Sequence, residues 1–469
     1  MKIFFVVGEN SGDVLAAALI KRLKAKLGDD VECLGVGGPL MKGAGFKELL
    51  PMDQISIMGI WEVLPKIPRL LKINQAIIEE IEKQQPDIVV TVDFPDFNFR
   101  LGKNLKKRGI YQGKLIHYVA PSVWAWRPGR AKAISEFLDA IICLFPMEVE
   151  YFADQGLPTK CVGHPVTESK VLQGNGEMFK ADNNMSQGDK TLGVFFGSRE
   201  GEFKKIGPVL CQAARIIDDV EENLKIIIPT LPDLEYDVQM ILEGFSLPVY
   251  ISANPKVKWD AFKACDVAVA VSGTVALELA YADIPHIVVY KTGALNAILF
   301  KLMAKVKHVH LVNILLGEDV VPELLQAKCN PEQIAEAVLA LSNDKDAQAK
   351  QREKFAEFRR LLGGLDGKSP SEKAADFVVE VAQGMHKKSA PIVKPKMPKQ
   401  KPEPEPKVEV EKEENNQAAN PEENISTVIP MNEKSEELKE KAEIAKKGAL
   451  EAAQKAINTA ESFLERFKK

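Results

Sequence analysis

The sequence predicts an α/β protein built from two Rossmann-like, doubly wound parallel sheets facing a central cleft, followed by a tail of different character. Three observations carry this. Short continuous apolar runs alternate with longer amphipathic stretches, the pattern of parallel strands covered by helices on both faces. The alternation stops in a polar break around residues 171–190 and then starts again. Beyond His386 the composition turns to Pro, Lys and Glu, with almost no aromatic residue.

In order, the first series reads KIFFVVG, a helix over Val14 to Leu27, VECLGVGG, DIVVTVD, a helix ending near Lys107-Arg108-Gly109, KLIHYVA and AIICLF. The second reads TLGVFFGS, LKIIIP, PVYIS, DVAVAVSG and HIVVYK, with a helical segment from Pro331 to about Gln383. The expected domains are 1–170 and 190–383. Residues 387–432 are expected to remain an extended, disordered linker, since they cannot bury enough apolar area to offset their ordering entropy. In 433–469, Leu438, Ala442, Ala445, Ala449, Ala452, Ala456, Ala460, Phe463 and Phe467 recur at helical spacing. This predicts one amphipathic helix, open to weak docking, a short coiled coil or membrane-surface contact.

The 469 residues, 45% hydrophobic, suffice for two or three domains, and a net charge of -4 gives no general reason to expect a nucleic-acid partner. Any anion site must be local. The six cysteines stand singly and without C-x-x-C spacing, so they read as reduced core thiols, as in a cytosolic protein. The N-terminal MKIFFVVG is too short for a signal h-region of about 7 to 15 residues, and no window reaches the roughly 18 apolar residues of a membrane span. A soluble or peripheral protein is expected.

The turn Gly8-Glu9-Asn10-Ser11-Gly12-Asp13 lies where doubly wound proteins bind ligands, between a strand and a helix. Its spacing is not G-x-G-x-x-G, and Glu32 falls near the start of the second strand, which argues against a dinucleotide dehydrogenase. Ser11 and Asp13 read equally as helix caps or as ligand contacts. In VDFPDFNF, Asp93 ends a buried strand and points into the crevice, while Asp96 follows Pro95 at the expected helix N-cap. Phe195-Phe196-Gly197-Ser198-Arg199-Glu200 and Val271-Ser272-Gly273-Thr274-Val275-Ala276-Leu277-Glu278 repeat the strand-to-helix turn and offer backbone N–H groups and an arginine to a nucleotide diphosphate. Glu278 falls one turn in, placed for ribose hydroxyls.

The sole D-x-D, Asp344-Lys345-Asp346, lies in a polar stretch, so no metal and no cofactor are expected. His308 and His310 read as a strand pair without ligand partners. His117 reads either as orienting a ligand or loop, or as a satisfied core histidine. Residues 57–72 read either as an interfacial surface or as a core hairpin. On the interfacial reading, Met58, Trp61, Val63, Leu64, Ile67 and Leu70 meet acyl chains, and Lys66, Arg69 and Lys72 meet anionic headgroups.

GENSGD, GVGGPLM, IMGIWEVL, DFPDFNF, HYVAPSVWAWR, VGHP, GSR-x-x-E, SGTVALE and NILLGEDVVPELLQ occur in this order over residues 1–383. Together they resemble the lipid-A-disaccharide synthase family. The resemblance implies a GT-B fold and an inverting, metal-independent hexosyltransferase. Its reaction would join UDP-2,3-diacylglucosamine to 2,3-diacylglucosamine 1-phosphate, giving lipid A disaccharide 1-phosphate and UDP, peripherally on the cytoplasmic face of the inner membrane. Position by position, it makes Asp93 the candidate base and Arg199 a nucleotide-phosphate contact. It places Glu9, Ser11 and Asp13 on the acceptor side, and Ser272, Gly273, Thr274, Glu278, Asn313, Glu323 and Gln326 on the UDP side. Phe196 and Val312 stand where the family usually has proline, and the tail lies outside the pattern. The rivals are another GT-B UDP-sugar transferase or an epimerase, and a non-catalytic UDP-sugar-binding membrane scaffold.

Overall fold

Seven parallel strands form the first sheet of this computed structural model, in the order β3-β2-β1-β4-β5-β6-β7. They are β1 Lys2–Val7, β2 Glu32–Gly37, β3 Lys47–Pro51, β4 Ile88–Val92, β5 Lys114–Tyr118, β6 Ala140–Cys143 and β7 Thr159–Cys161. The second sheet, in the order β10-β9-β8-β11-β12-β13, comprises β8 Lys190–Phe195, β9 Leu224–Pro229, β10 Val249–Ser252, β11 Val267–Val271, β12 His286–Tyr290 and β13 Glu323–Leu325. The structure describes residues 1–55, 67–126, 129–186, 188–197, 200–243, 249–293, 307–363 and 367–385. The expected linker and tail helix, 387–469, lie outside the described residues, as do Met58, Trp61, Val63, Leu64, Lys66 and Arg199.

The strand order follows from which residues can be covered on both faces. Every residue of β4 is buried, with Val89 in one apolar cluster and Val90 and Val92 in another, the two-residue alternation of a central strand. β1 lies between β2 and β4, with Ile3 opposite both Cys33 and Ile88. The winding therefore reverses between β1 and β4, and in the second sheet between β8 and β11. At these switch points the carboxyl ends of the strands leave a crevice. Strands β3, β7 and β13 lack a sequence counterpart because they are short and partly exposed, without a continuous apolar run.

Lys307–His310, expected as a strand, forms bends instead. His310 caps the helix Leu311–Leu316, its Nδ1 accepting from the Val312 N–H at 3.2 Å, and its Nε2 lies 3.3 Å from His286 Nε2. Burial pushes His286 down to about 4 and holds His310 well below the usual histidine value. Five cysteines are buried, and burial raises the Cys33 thiol to about 11.

Polar segments join the two sheets. The break around 171–190 contains the helix Gly176–Asp182, tied to the helix Lys258–Lys263 through the Asn175 N–H donating to Asp260 Oδ1 at 2.6 Å. The last described helix, Pro370–Ala382, was expected to close the second domain but packs on the helix Asn10–Leu27. Arg22 reaches Ser371 Oγ at 3.2 Å and Glu372 at 3.0 Å, and Ser371 Oγ donates to Glu168 at 2.5 Å.

Among the described residues no helix is long and apolar enough to cross a membrane. In the helix Ile67–Gln84, Arg69 and Lys72 are exposed beside Leu71, whereas Leu70 packs against the core with Ile73. Leu70 therefore serves the fold first, because with Ile73 it lies on the face of the helix that meets the core.

The chain crosses between sheets at Gly163, whose φ is +96° and whose added Cβ would lie 2.5 Å from the Leu362 carbonyl oxygen. That same carbonyl accepts from the His164 N–H at 2.9 Å. Gly163→Ala should therefore lower stability by roughly 1 to 3 kcal/mol, seen as a lower urea midpoint. An unchanged midpoint would show that the crossing is not tightly constrained.

Candidate active site

Asp93 stands immediately after β4, at the switch point of the first sheet. It and Phe94 have φ of +53° and +46°, two successive non-glycine residues in the left-handed region. Such residues cost about 1 to 3 kcal/mol each and persist where the surroundings over-determine them. Here the Asp93 N–H donates to the Tyr118 carbonyl at 2.9 Å and the Asn98 amide donates to the Asp93 carbonyl at 2.7 Å. The carboxylate accepts from Ser11 Oγ at 3.0 Å and from the Phe94 N–H at 2.9 Å. Gly8 leaves room for Phe94, since a Cβ there would come within 2.8 Å of the ring.

Ser11 thus joins β1 to β4 across the crevice and does not cap its own helix, which has no side-chain cap. Asp96 is likewise not the N-cap of the helix Pro95–Arg108; Phe94 holds that position. Asp96 falls in the first turn and pairs with Arg130. Glu9 is half-buried at the N-terminus of its helix.

A pocket of about 250 Å³ opens beside Asp93, walled by Pro95, Asp96, Arg130 and the segment from Val119 to Val123. Val119 is β-branched at φ +80°, a third strained residue on the same rim, held by its N–H donating to Ile142 O at 3.1 Å. His117, two residues earlier on β5, is wholly buried against Phe99, with Nδ1 2.8 Å from Thr91 Oγ1. Burial pushes it down to about 3, which keeps the ring neutral, and its buried Nε2 has no hydrogen-bond partner among the described residues. Glu148, unremarked in the sequence, is buried and accepts from the Leu144 and Phe145 N–H groups at 3.0 and 3.1 Å and from Trp124 Nε1 at 3.4 Å. It ties the end of β6 to the helix Val123–Trp126 behind the pocket rim.

Asp13 also departs from expectation. It is 2% exposed and both oxygens accept, at 3.0 Å, from the Leu40 and Met41 N–H groups, so it caps the distant helix Pro39–Gly43 and turns away from the crevice. Gly38 permits this approach; a Cβ there would meet Asp13 Oδ2 at 2.4 Å.

At the second switch point, Ser272, Gly273 and Thr274 follow β11 and open the helix Thr274–Tyr281, with Gly273 and Thr274 exposed. Glu278 sits one turn in, largely covered, paired with Lys258 Nζ at 3.0 Å; desolvation raises its carboxyl above the usual range. Lys258 also lies 4.1 Å over the Trp259 ring, and its place was not evident from sequence. Asn313 is fully buried and all its hydrogen-bonding capacity is spent on Val320, Val321 and Glu323. Glu323 accepts from the Val309 and His310 N–H groups. Both therefore organise the loop ahead of β13 and do not present these groups to a ligand. Gln326, at φ +53°, accepts from the Thr292 N–H at 3.4 Å.

Residues 3–377 match the family model described as lipid-A-disaccharide synthetase. The chain belongs to the lipid-A-disaccharide synthetase family. The lipid-A-disaccharide synthase of Paramagnetospirillum magneticum is 40% identical over 398 residues, covering 83% of this chain and all of the relative. Among solved structures, the S. aureus MnaA–UDP co-structure has a TM-score of 0.53 at 12% identity, covering 82% of this chain and 97% of that one. The glycotransferase of kitacinnamycin gives 0.52 at 14%, covering 81% and 98%. These likenesses agree with the GT-B architecture of two parallel sheets. Both departures from the synthetase pattern have local reasons: Phe196 packs edge-on against Phe203 at 5.4 Å, and Val312 supplies the N–H that His310 accepts.

Burial raises the Glu148 carboxyl from 4.5 to about 7. The folded protein then binds more protons than the unfolded chain between these values, so this group's stabilising contribution is full below about pH 4.5 and is lost as pH rises to about 7. Glu148→Gln should abolish that fall, worth on the order of 3 kcal/mol. Urea midpoints of both proteins at pH 5 and pH 7 test it, and parallel pH dependences would refute it.

Proposed function

We propose that the chain transfers 2,3-diacylglucosamine from its UDP derivative to 2,3-diacylglucosamine 1-phosphate, releasing UDP and lipid A disaccharide 1-phosphate. Family membership supports the substrate class. The single observation that carries the chemistry is Asp93, strained and over-determined at the switch point, with its carboxylate at the wall of a pocket.

Asp93 removes the proton of the acceptor 6-hydroxyl as that oxygen attacks the anomeric carbon. The bond from that carbon to the β-phosphate oxygen breaks, and UDP leaves with the electron pair, inverting the configuration. Ser11 holds Oδ2 of the base, fixing the face it presents. On the donor side, Arg199 and the backbone at Ser272–Thr274 take up the diphosphate charge, and Glu278 accepts from ribose hydroxyls. The displacement balances without a further cofactor. Residues 1–170 hold the acceptor and 190–383 the nucleotide. The acyl chains place the chain peripherally on the cytoplasmic face of the inner membrane, through the surface that includes Arg69 and Lys72.

Asp93→Asn should keep the fold, because asparagine tolerates the left-handed region, while turnover falls by about two to four orders of magnitude. UDP release from the paired acylated substrates in detergent measures this, and a near-normal rate would remove Asp93 as the base. Arg199→Ala should chiefly weaken UDP binding in calorimetry; an unaltered affinity would exclude the phosphate contact.

A further inference from the structure

We infer that Arg130 is the binding residue for the acceptor's phosphate, with Asp96 as its placeholder when the pocket is empty. The inference rests on the glycosyl-transfer reading for the identity of the acceptor. Its physical basis is the pocket. Arg130 is the cation among the described residues that line it, and it shares that wall with Asp93. The pocket's 250 Å³ leaves room for more than a single ion or water beside Arg130.

The two members of the Arg130–Asp96 pair are unequally placed. The Arg130 side chain is 23% exposed and its guanidinium lies 5.3 Å from the Phe99 ring centroid, which braces it against the helix Pro95–Arg108. The Asp96 side chain is 85% exposed. An ion pair with a partner that solvated contributes little and is readily exchanged. A phosphate offers the guanidinium a stronger, two-pronged acceptor, and Asp96 can swing into water as it arrives. Ser122, exposed on the same rim, adds a hydroxyl donor. A phosphate held here and a hydroxyl held at Asp93 would anchor the two ends of one sugar ring, orienting the nucleophile.

The alternative is that Arg130 is only a bracket holding Asp96 and the rim together. Three variants of the full chain in detergent separate these. Acceptors with and without the 1-phosphate are compared by kcat/KM for UDP release and, without donor, by equilibrium binding. The wild type should prefer the phosphorylated acceptor by about 10- to 100-fold in both measurements, the usual worth of charge-assisted hydrogen bonds. Arg130→Met should cut that ratio below about threefold, and Arg130→Lys should restore part of it. Asp96→Asn, which breaks the same pair but leaves the guanidinium, should retain the preference. A ratio unchanged in Arg130→Met, or lost equally in Asp96→Asn, overturns the inference. Arg130-dependent discrimination in binding with no UDP release would uphold the subsite and defeat the transfer reading. UDP release with discrimination indifferent to Arg130 would do the reverse.

Discussion

The hydrogen bond from the Asp93 N–H to the Tyr118 carbonyl is the constraint on which the site depends. It continues the pairing of β4 with β5 one residue beyond the last strand position, while the backbone of Asp93 and Phe94 has already turned left-handed. That combination turns the carboxylate out of the sheet toward Ser11. It also lets Pro95, with its preset φ, open the next helix without a side-chain cap. Removing the strain would restore ordinary geometry and lose the direction of the side chain.

The two sheets share a winding pattern but finish their switch points with different chemistry. The first uses non-glycine residues under strain, which deliver a carboxylate to a fixed spot. The second uses Gly197, at φ +90° and close against Val271, and the exposed Gly273, where an added Cβ would have no described atom beyond its chain neighbours within 4 Å, so that backbone stays open at that turn. Fixed side chains suit proton removal, and accessible backbone N–H groups suit a diphosphate. On the proposed reading, each sheet carries the half of the reaction its turns are built for.

Much of this was legible in the sequence. Asp93 at the end of an apolar run, the small residues after β11 and the order of the main strands all follow from local pattern. What stayed hidden depends on tertiary partners. Asp13 could not be seen as a cap for Pro39–Gly43, because that helix lies 26 or more residues away in sequence and reaches it only through the pairing of β1 with β2. The family resemblance puts Asn313 and Glu323 on the UDP side, yet both are engaged by backbone groups of their own loop. Asp96 lost the N-cap because Phe94 adopted a conformation rare for its residue type. For His117 the sequence leaves two roles open, and its complete burial, with an Nε2 unpartnered among the described residues, emerges only in the fold.

The return of the helix Pro370–Ala382 onto Asn10–Leu27 sets an order of events at the ribosome. The second sheet must be synthesised before the first acquires its last layer, since Phe377 and Val378 share a buried cluster with Phe5 and Leu19. Until then the nascent first half exposes an apolar helix face that its own sequence cannot cover. Maturation of the candidate base's domain is thereby coupled to completion of the nucleotide-side domain, so that a chain stopped short of residue 370 carries an unfinished surface.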